Sequence, residues 1–276
     1  MFPQITSVAN PRIKTAVRLG NGRNRRKENR FLIDGIRETA RALDSGIIID
    51  EVFVLENSLE NSAKSTEFDA LLQKLIRNNI QIWSVSLPVF EKFAFGERLE
   101  GVVAVANQRY WNWNDLRLPE CPLIAVLERI EKTGNIGAVF RSADGAGLDA
   151  IFIADSLCDL YSSNAIRASL GTIFRIPVII DSSENIIREL SARNISIAAA
   201  KCDGSIPYTE FDYRNPCAIV LGAESDGLTD SWNRDFVQAV RLPMLGIADS
   251  LNVSTAAAVI FYEAVRQRKT ETKLGQ

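Results

Sequence analysis

Histidine is absent from all 276 residues. That absence alone removes imidazole general bases, Ser-His-Asp triads, the H-E-x-x-H zinc site and the histidine-dependent zinc deaminase motif. Cysteine is sparse: Cys121, Cys158, Cys202 and Cys217 stand far apart with no C-x-x-C pair. Neither a disulfide framework nor a zinc knuckle is expected, and the thiols should be reduced and mostly buried. No uncharged apolar run reaches the ~18 residues that a bilayer requires, and Met1-Phe2-Pro3-Gln4 lacks the basic and apolar regions of a signal peptide. A cytosolic protein with no membrane partner is the expectation. Also missing are a Gly-Lys-Ser/Thr P-loop ending, a G-x-G-x-x-G fingerprint, short internal repeats and long low-complexity tracts. No metal is expected, because the pair Glu224 and Asp226 has no phosphate-binding lysine beside it to favour magnesium.

What is present is an ordinary globular composition, 46% apolar and 24% charged, in a chain long enough for two cores. The net charge of -2 hides a strong asymmetry: residues 1–30 carry Arg12, Lys14, Arg18, Arg23, Arg25, Arg26, Lys27 and Arg30 against the single acid Glu28. Residues 21–30 have almost nothing apolar to bury, so residues 1–30 read as a basic arm, solvated or ordered by a partner. Such a run is either a plain solvated face or a contact for nucleic acid, with Arg23, Arg25, Arg26, Lys27 and Arg30 as the candidate contacts.

From residue 31 the pattern predicts an amphipathic helix through residues 35–43, stopped by Gly46. Strand-like residues 52–55, helix-like residues 68–78 and strand-like residues 80–85 and 101–106 complete a small α/β domain over 31–107. Residues 108–120 are polar, turn-rich and aperiodic, a linker in which Trp111 and Trp113 either stack on bases or pack at a domain junction. Near-continuous apolar runs follow at 123–127, 150–154, 195–200 and 218–221, with helical segments at 135–146, 162–170 and 183–194 between them. Runs of this kind suit strands buried on both faces of a parallel sheet, so the second domain, 121–268, reads as doubly wound α/β, with a tail over 269–276.

In such sheets functional groups gather in the loops after the strands. The first loop runs from Glu128-Arg129 to a helix bearing Asn135, where a cap would sit, with Gly137 and Arg141 beyond it. A simple cap and a surface ion pair account for Asn135 and Arg141 equally well. The second loop is Gly222-Ala223-Glu224-Ser225-Asp226-Gly227, a turn in which backbone N–H groups and an acid can meet a polar ligand. The third enters a helix near Ser250 with Ser250, Asn252 and Ser254, three polar groups where one cap would suffice.

Together, N-I-G-x-x-x-R-S-A, L-G-A-E-S-D-G-L and L-P-M-x-G-x-x-x-S-L-N-V-S resemble the three signature motifs of the SpoU (TrmH-like) class of SPOUT RNA methyltransferases. The resemblance covers about residues 120–268, and the first domain is similar to an RNA-binding domain, related to certain ribosomal proteins, that many members carry in front. It implies a C-terminal trefoil knot, S-adenosylmethionine as cofactor and methylation of a ribose 2′-hydroxyl in structured RNA. Ribosomal RNA is preferred, because such an N-terminal domain accompanies many ribosomal RNA enzymes; transfer RNA is the alternative. The cofactor would lie against Leu221, Gly222, Leu242, Met244, Leu251 and Asn252. The catalytic set would be Asn135, Arg141, Glu224, Ser250 and Asn252, with Arg141 also contacting RNA. A homodimer is implied, in which Asn135 and Arg141 of one chain complete a site whose cofactor belongs to the other. Two departures bear on substrate choice: Thr133-Gly134 replaces a common Asp-Pro pair, and the stretch before residues 101–104 lacks a histidine common in relatives. The form Gly134-Asn135-Ile136-Gly137 also occurs in the related thiostrepton-resistance branch.

The family proposal makes Arg141 the base, which conflicts with a guanidinium pKa above about 12. Our reading is that Arg141 clamps the neighbouring phosphate and steadies the developing alkoxide, the proton leaving late or to solvent. Two rivals are weighed beside it. Asn215-Pro216-Cys217 invites comparison with base methyltransferase nucleophile motifs, yet it precedes its apolar run rather than following it. A non-catalytic RNA-binding or ribosome-assembly protein that kept the fold is the other, and the intact Asn135, Arg141, Glu224, Ser250 and Asn252 speak against it.

Overall fold

The computed structural model describes residues 2–60, 66–95 and 100–272, so residues 273–276 of the expected tail lie outside the described residues. The chain divides into two units, Met1–Arg109 with Asp159–Arg175, and Tyr110–Cys158 with Ile176–Gln276.

The first unit contains β1 (Gln4–Ile5), α1 (Pro11–Leu19), α2 (Gly22–Glu28), β2 (Arg30–Asp34), α3 (Ile36–Asp44), β3 (Ile49–Leu55), α4 (Glu56–Glu60), α5 (Thr66–Arg77), β4 (Gln81–Val85), α6 (Leu87–Phe90) and β5 (Val102–Asn107). Its sheet has the order β1-β4-β3-β5-β2, parallel among β1, β4 and β3 and antiparallel where β5 meets β3 and β2. The helix expected from residue 31 begins only at Ile36, because residues 31–33 are a strand paired with β5. Phe31, Leu32 and Ile33 are all buried, and a consecutive apolar run has no period of its own to tell strand from helix. Gly35, at φ 120, makes the corner between the two elements in a conformation that side chains rarely adopt.

The basic arm is also corrected. Asn10 accepts the Arg12 N–H at 2.9 Å to cap α1, whose Ile13, Ala16 and Leu19 are buried in the core with Phe53 and Phe90. Asn21 caps α2 in the same way, and Asn29 ends it in the left-handed region at φ 54. Arg25, expected as an RNA contact, is instead turned inward: its side chain is 8% exposed, ion-paired to Asp159 at 2.8 Å and donating to the carbonyls of Leu19 and Gly20 at 2.8 and 2.9 Å. Arg30 pairs with Glu28 at 2.7 Å. Asp159 belongs to the segment Asp159–Arg175, expected in the second domain from its place in sequence but grouped here with the first. Phe31 packs against Tyr161 and Phe174, and Arg109 donates to the carbonyls of Ser45 and Phe174. Removing one partner of a buried ion pair leaves an uncompensated charge, a cost of about 3 to 5 kcal/mol. Arg25→Ala should therefore lower thermal stability by several degrees or more; an unchanged melting temperature would show that Asp159 is rehydrated at little cost.

The second unit contains β6 (Leu123–Glu128), α7 (Thr133–Ala146), β7 (Ala150–Ala154), β8 (Val178–Asp181), α9 (Ser183–Ala192), β9 (Ser196–Ala200), β10 (Ile206–Pro207), β11 (Cys217–Leu221), β12 (Val237–Arg241) and α10 (Val253–Thr272). A short helix, α8 (Ser163–Ala168), lies in the segment grouped with the first unit. The sheet of the second unit is parallel throughout, in the order β10-β12-β9-β11-β6-β7-β8. Every residue of β6, β7 and β11 is buried, as apolar runs without alternation require. The half-buried Trp111 and Trp113 pack on this core, and Trp113 donates its indole N–H to Asp181 at 2.8 Å, so the stretch read as a linker is anchored here.

The thiols are free, but only Cys217 is buried while Cys121 and Cys202 are exposed. Burial pushes the Cys217 thiol up to about 11, the opposite of what a nucleophile needs, which removes the physical basis for the Asn215-Pro216-Cys217 rival. Among the described residues no helix is long and apolar enough to cross a membrane, and no cluster of three metal-ligating side chains occurs.

Candidate active site

Parallel pairing brings the C-terminal ends of β6, β9, β11 and β12 to one side of the sheet, and β11 enters between β9 and β6. An open α/β sheet binds ligands outside the strand ends at such a reversal of strand order. Loops after β9, β11 and β12 enclose a cleft of about 1010 Å³, near the upper end of small-molecule sites. Leu221, Gly222, Glu224, Leu242, Met244, Ser250 and Leu251 all line it.

Gly222 is required by close approach rather than by a positive φ. A Cβ there would lie 2.3 Å from the carbonyl carbon and oxygen of Gly227 and 2.6 Å from the Leu228 nitrogen. Gly227 N–H donates to the Ala223 carbonyl at 2.9 Å, closing residues 222–228 into a tight hairpin, with Gly227 at φ 66. The third loop ends in a cap: Asn252 Oδ1 accepts from the Ser254 N–H at 2.9 Å and from its hydroxyl at 2.7 Å, and α10 begins at Val253 rather than Ser250. Ser250 stays exposed on the cleft.

The expectation that Asn135 caps α7 is corrected. Lys132 holds the cap position, without a side-chain cap bond, and Asn135 is the third helical residue. Its amide is therefore free for other work: it donates to Glu224 Oε1 and accepts from Asn252 Nδ2 at 3.3 Å. Lys132 Nζ lies 3.4 Å from Glu224 Oε2. The Glu224 carboxylate thus sits by the N-terminal end of α7, where a helix dipole favours negative charge. One residue from each motif meets in this cluster, and Asn135 engages Glu224 and Asn252 of its own chain. Arg141 is not part of it: six residues along a helix turn it about 120° away from Asn135. It is exposed and makes no hydrogen bond or ion pair among the described residues.

The cleft fits S-adenosylmethionine. Leu221, Leu242, Met244 and Leu251 offer apolar wall, the Gly222 hairpin allows backbone to approach closely, and Asp203, Glu224, Asp226, Asp230 and Asp249 outnumber Lys201 and Arg241 around it. An acid-rich rim suits a ligand bearing a sulfonium and an ammonium. Glu128 and Lys132 were not singled out from sequence. For Glu128 the signal was there, an acid closing an otherwise apolar strand; for Lys132 there was none, since an exposed lysine in a loop is unremarked.

Residues 122–262 match the SpoU rRNA Methylase family, and residues 10–104 match the MRM3-like substrate binding domain. The chain belongs to the SpoU rRNA methylase family. It is similar to a solved RNA 2′-O ribose methyltransferase at 37% identity, with a TM-score of 0.83 over 96% of this chain and 99% of that one. The SpoU methyltransferase AviRb from Streptomyces viridochromogenes, solved in complex with its cofactor AdoMet, is 26% identical with a TM-score of 0.83 over 95% of this chain and 100% of that one. Among curated proteins, the 23S rRNA (guanosine(2553)-2′-O)-methyltransferase RlmP of Bacillus subtilis is 27% identical over 94% of this chain and 98% of its own. The 23S rRNA (guanosine-2′-O-)-methyltransferase RlmB of Xylella fastidiosa is 30% identical over 88% and 98%.

Proposed function

We propose, as the reading that fold, site and relatives support together, that this chain transfers a methyl group from S-adenosylmethionine to a ribose 2′-hydroxyl of ribosomal RNA. It is an S-adenosylmethionine-dependent RNA 2′-O-methyltransferase of the SpoU family, and its relatives act on 23S rRNA. The observation that carries this is the meeting of three separated loops, where Asn135 bonds both Glu224 and Asn252, at an acid-lined cleft built around Gly222 that Glu224 itself lines.

S-adenosylmethionine, held against Leu221, Leu242, Met244 and Leu251, would supply an electrophilic methyl group to the ribose oxygen. The protein's own residues do the positioning. Asn135 and Lys132 hold the Glu224 carboxylate at the cleft, and Asn252 ties the start of α10 to α7. Arg141, exposed and without an ion pair among the described residues, is available to clamp the phosphate beside the reacting ribose and to stabilise charge growing on its oxygen. The proton leaves late or to solvent. Selection against DNA needs no separate device, because the reacting atom exists only in RNA.

RNA is held, in this reading, by the first unit, where Arg23, Arg26 and Lys27 are exposed on α2 while Arg25 is withdrawn into an ion pair. Binding should fall steeply with salt. Replacing Arg23, Arg26 and Lys27 by alanine should reduce the slope of log affinity against log salt by about 2 to 3, one counterion for each phosphate that is no longer neutralised. An unchanged slope in a filter-binding series would move the RNA surface elsewhere.

A homodimer is part of the proposal. Its support is a set of exposed apolar side chains in the second unit: Leu245 and Ile247 are 98% and 105% exposed, and Tyr262 is also uncovered. The threaded C-terminus is likewise proposed, supported by family membership and by α10 packing against α7. The cytosol, where ribosomal RNA is found, is the proposed location. The test of the function has two parts. Calorimetric titration should show S-adenosylmethionine binding, and 2′-O-methyl mapping of total RNA should lose one ribosomal site when the gene is deleted. A map that is unchanged, or altered only in transfer RNA, would overturn the ribosomal reading.

A further inference from the structure

Glu128 ends β6, a strand buried along its whole length, and is itself 0% exposed. A carboxylate is costly to bury unless donors surround it. Here four groups do: Thr229 N–H at 2.8 Å on Oε2, the Thr229 hydroxyl at 2.7 Å and the Trp232 indole N–H at 2.9 Å on Oε1, and the Ser183 hydroxyl, whose one hydrogen is shared between Oε1 and Asp155 Oδ2, each at 2.7 Å. Three of the four come from one short segment, Thr229 and the 3-10 turn Asp230–Trp232.

That segment forms part of the cleft wall. Leu228, Asp230 and Asn233 line the cavity, alternating with the residues that turn inward to Glu128. Leu221 is paired with Leu127 in the sheet, so the hairpin at Gly222 leaves β11 beside the end of β6 and returns over it, where Glu128 waits. Trp232 also holds the wall of residues 228–233 through its burial in the core, where Leu228 packs against the same cluster, and the Glu128 bonds fix the polar side of the segment.

We propose that Glu128 is a positioning residue for the cofactor: it never touches the ligand but sets the wall against which the ligand lies, through Thr229 and Trp232. The inference rests on the functional reading above. Ser183 meets the same oxygen, Oε1, from a different element, since it belongs to α9 and not to the cleft wall. The two elements can therefore be separated by mutation.

The experiment measures S-adenosylmethionine affinity by calorimetry and melting temperature for Glu128→Gln, Thr229→Val, Thr229→Ser and Ser183→Ala in the full chain. Glutamine puts an N–H donor where an acceptor is needed, facing another donor. Thr229→Val removes one wall-side bond and should weaken cofactor binding by about tenfold, from the usual worth of a hydrogen bond to a charged group. Thr229→Ser, which keeps the hydroxyl, should bind like the wild type. Ser183→Ala should melt lower but retain cofactor affinity. KM for RNA should not move in any of them. If Glu128→Gln fails to fold, the Thr229 pair still decides. Equal cofactor affinity in Thr229→Val and wild type, or an equal loss in Ser183→Ala, would make Glu128 a core residue only. Absence of cofactor binding by the wild type would overturn the functional reading and this inference with it.

Discussion

Arg141→Ala should lower methyl transfer by about a hundred- to a thousandfold, the scale seen when one preorganised charge-stabilising donor is removed. Cofactor affinity should not change, because Arg141 neither lines the cleft nor bonds any residue that does. The loss should fall on kcat as well as on RNA binding, since the guanidinium is asked to act on charge that grows only as the bond forms. Arg141→Lys is the sharper version. Lysine keeps the charge as a point and loses the planar fork that grips a phosphate with two parallel bonds. It should recover RNA affinity better than turnover. Nearly full turnover with unchanged RNA affinity in Arg141→Lys would sink the clamp account, because no special guanidinium geometry would then be needed.

Gly222→Ala should be the most damaging single methyl group in the second unit. The added carbon would stand 2.3 Å from two backbone atoms of Gly227, and backbone in a closed hairpin cannot give way as the end of a side chain can. Relief requires opening the Gly227-to-Ala223 hydrogen bond, and with it the loop that carries Glu224. Cofactor affinity should fall about a hundredfold, equivalent to about 2.7 kcal/mol. The melting temperature should move little, since the hairpin lies beyond the last strand residue of β11. Gly227→Ala is the contrast. Its Cβ would meet open space, so only the positive φ opposes it, a strain of about 1 kcal/mol and a several-fold loss. Should the two substitutions prove equal, conformational preference and not close packing would govern the loop.

Much of the site was legible because its residues are of types that chemistry uses and stand in loops that follow apolar strands. Gly222, Glu224 and Asn252 could be named from the sequence, and they do converge. Asn135 could be read from the sequence as a cap or as a site residue, since a helix start can shift by two residues without any change in composition; that shift decides whether its amide caps a helix or reaches Glu224, and here it reaches Glu224. Arg25 shows the reverse. Among Arg23, Arg26 and Lys27 nothing in the local sequence marks it out, yet it is the one withdrawn into an ion pair with a residue 134 positions away.

The order of apolar runs and turns determined by itself that the second unit is a parallel α/β sheet with its chemistry at the strand ends, because burial on both faces leaves a compositional trace in every strand. Partnership was settled only in three dimensions. That the segment Asp159–Arg175 joins the first unit, that β2 is a strand and that Glu128 braces the cleft wall all depend on which surfaces meet. Long-range contact energies leave no periodic mark along a single chain, so nothing short of the folded molecule records them.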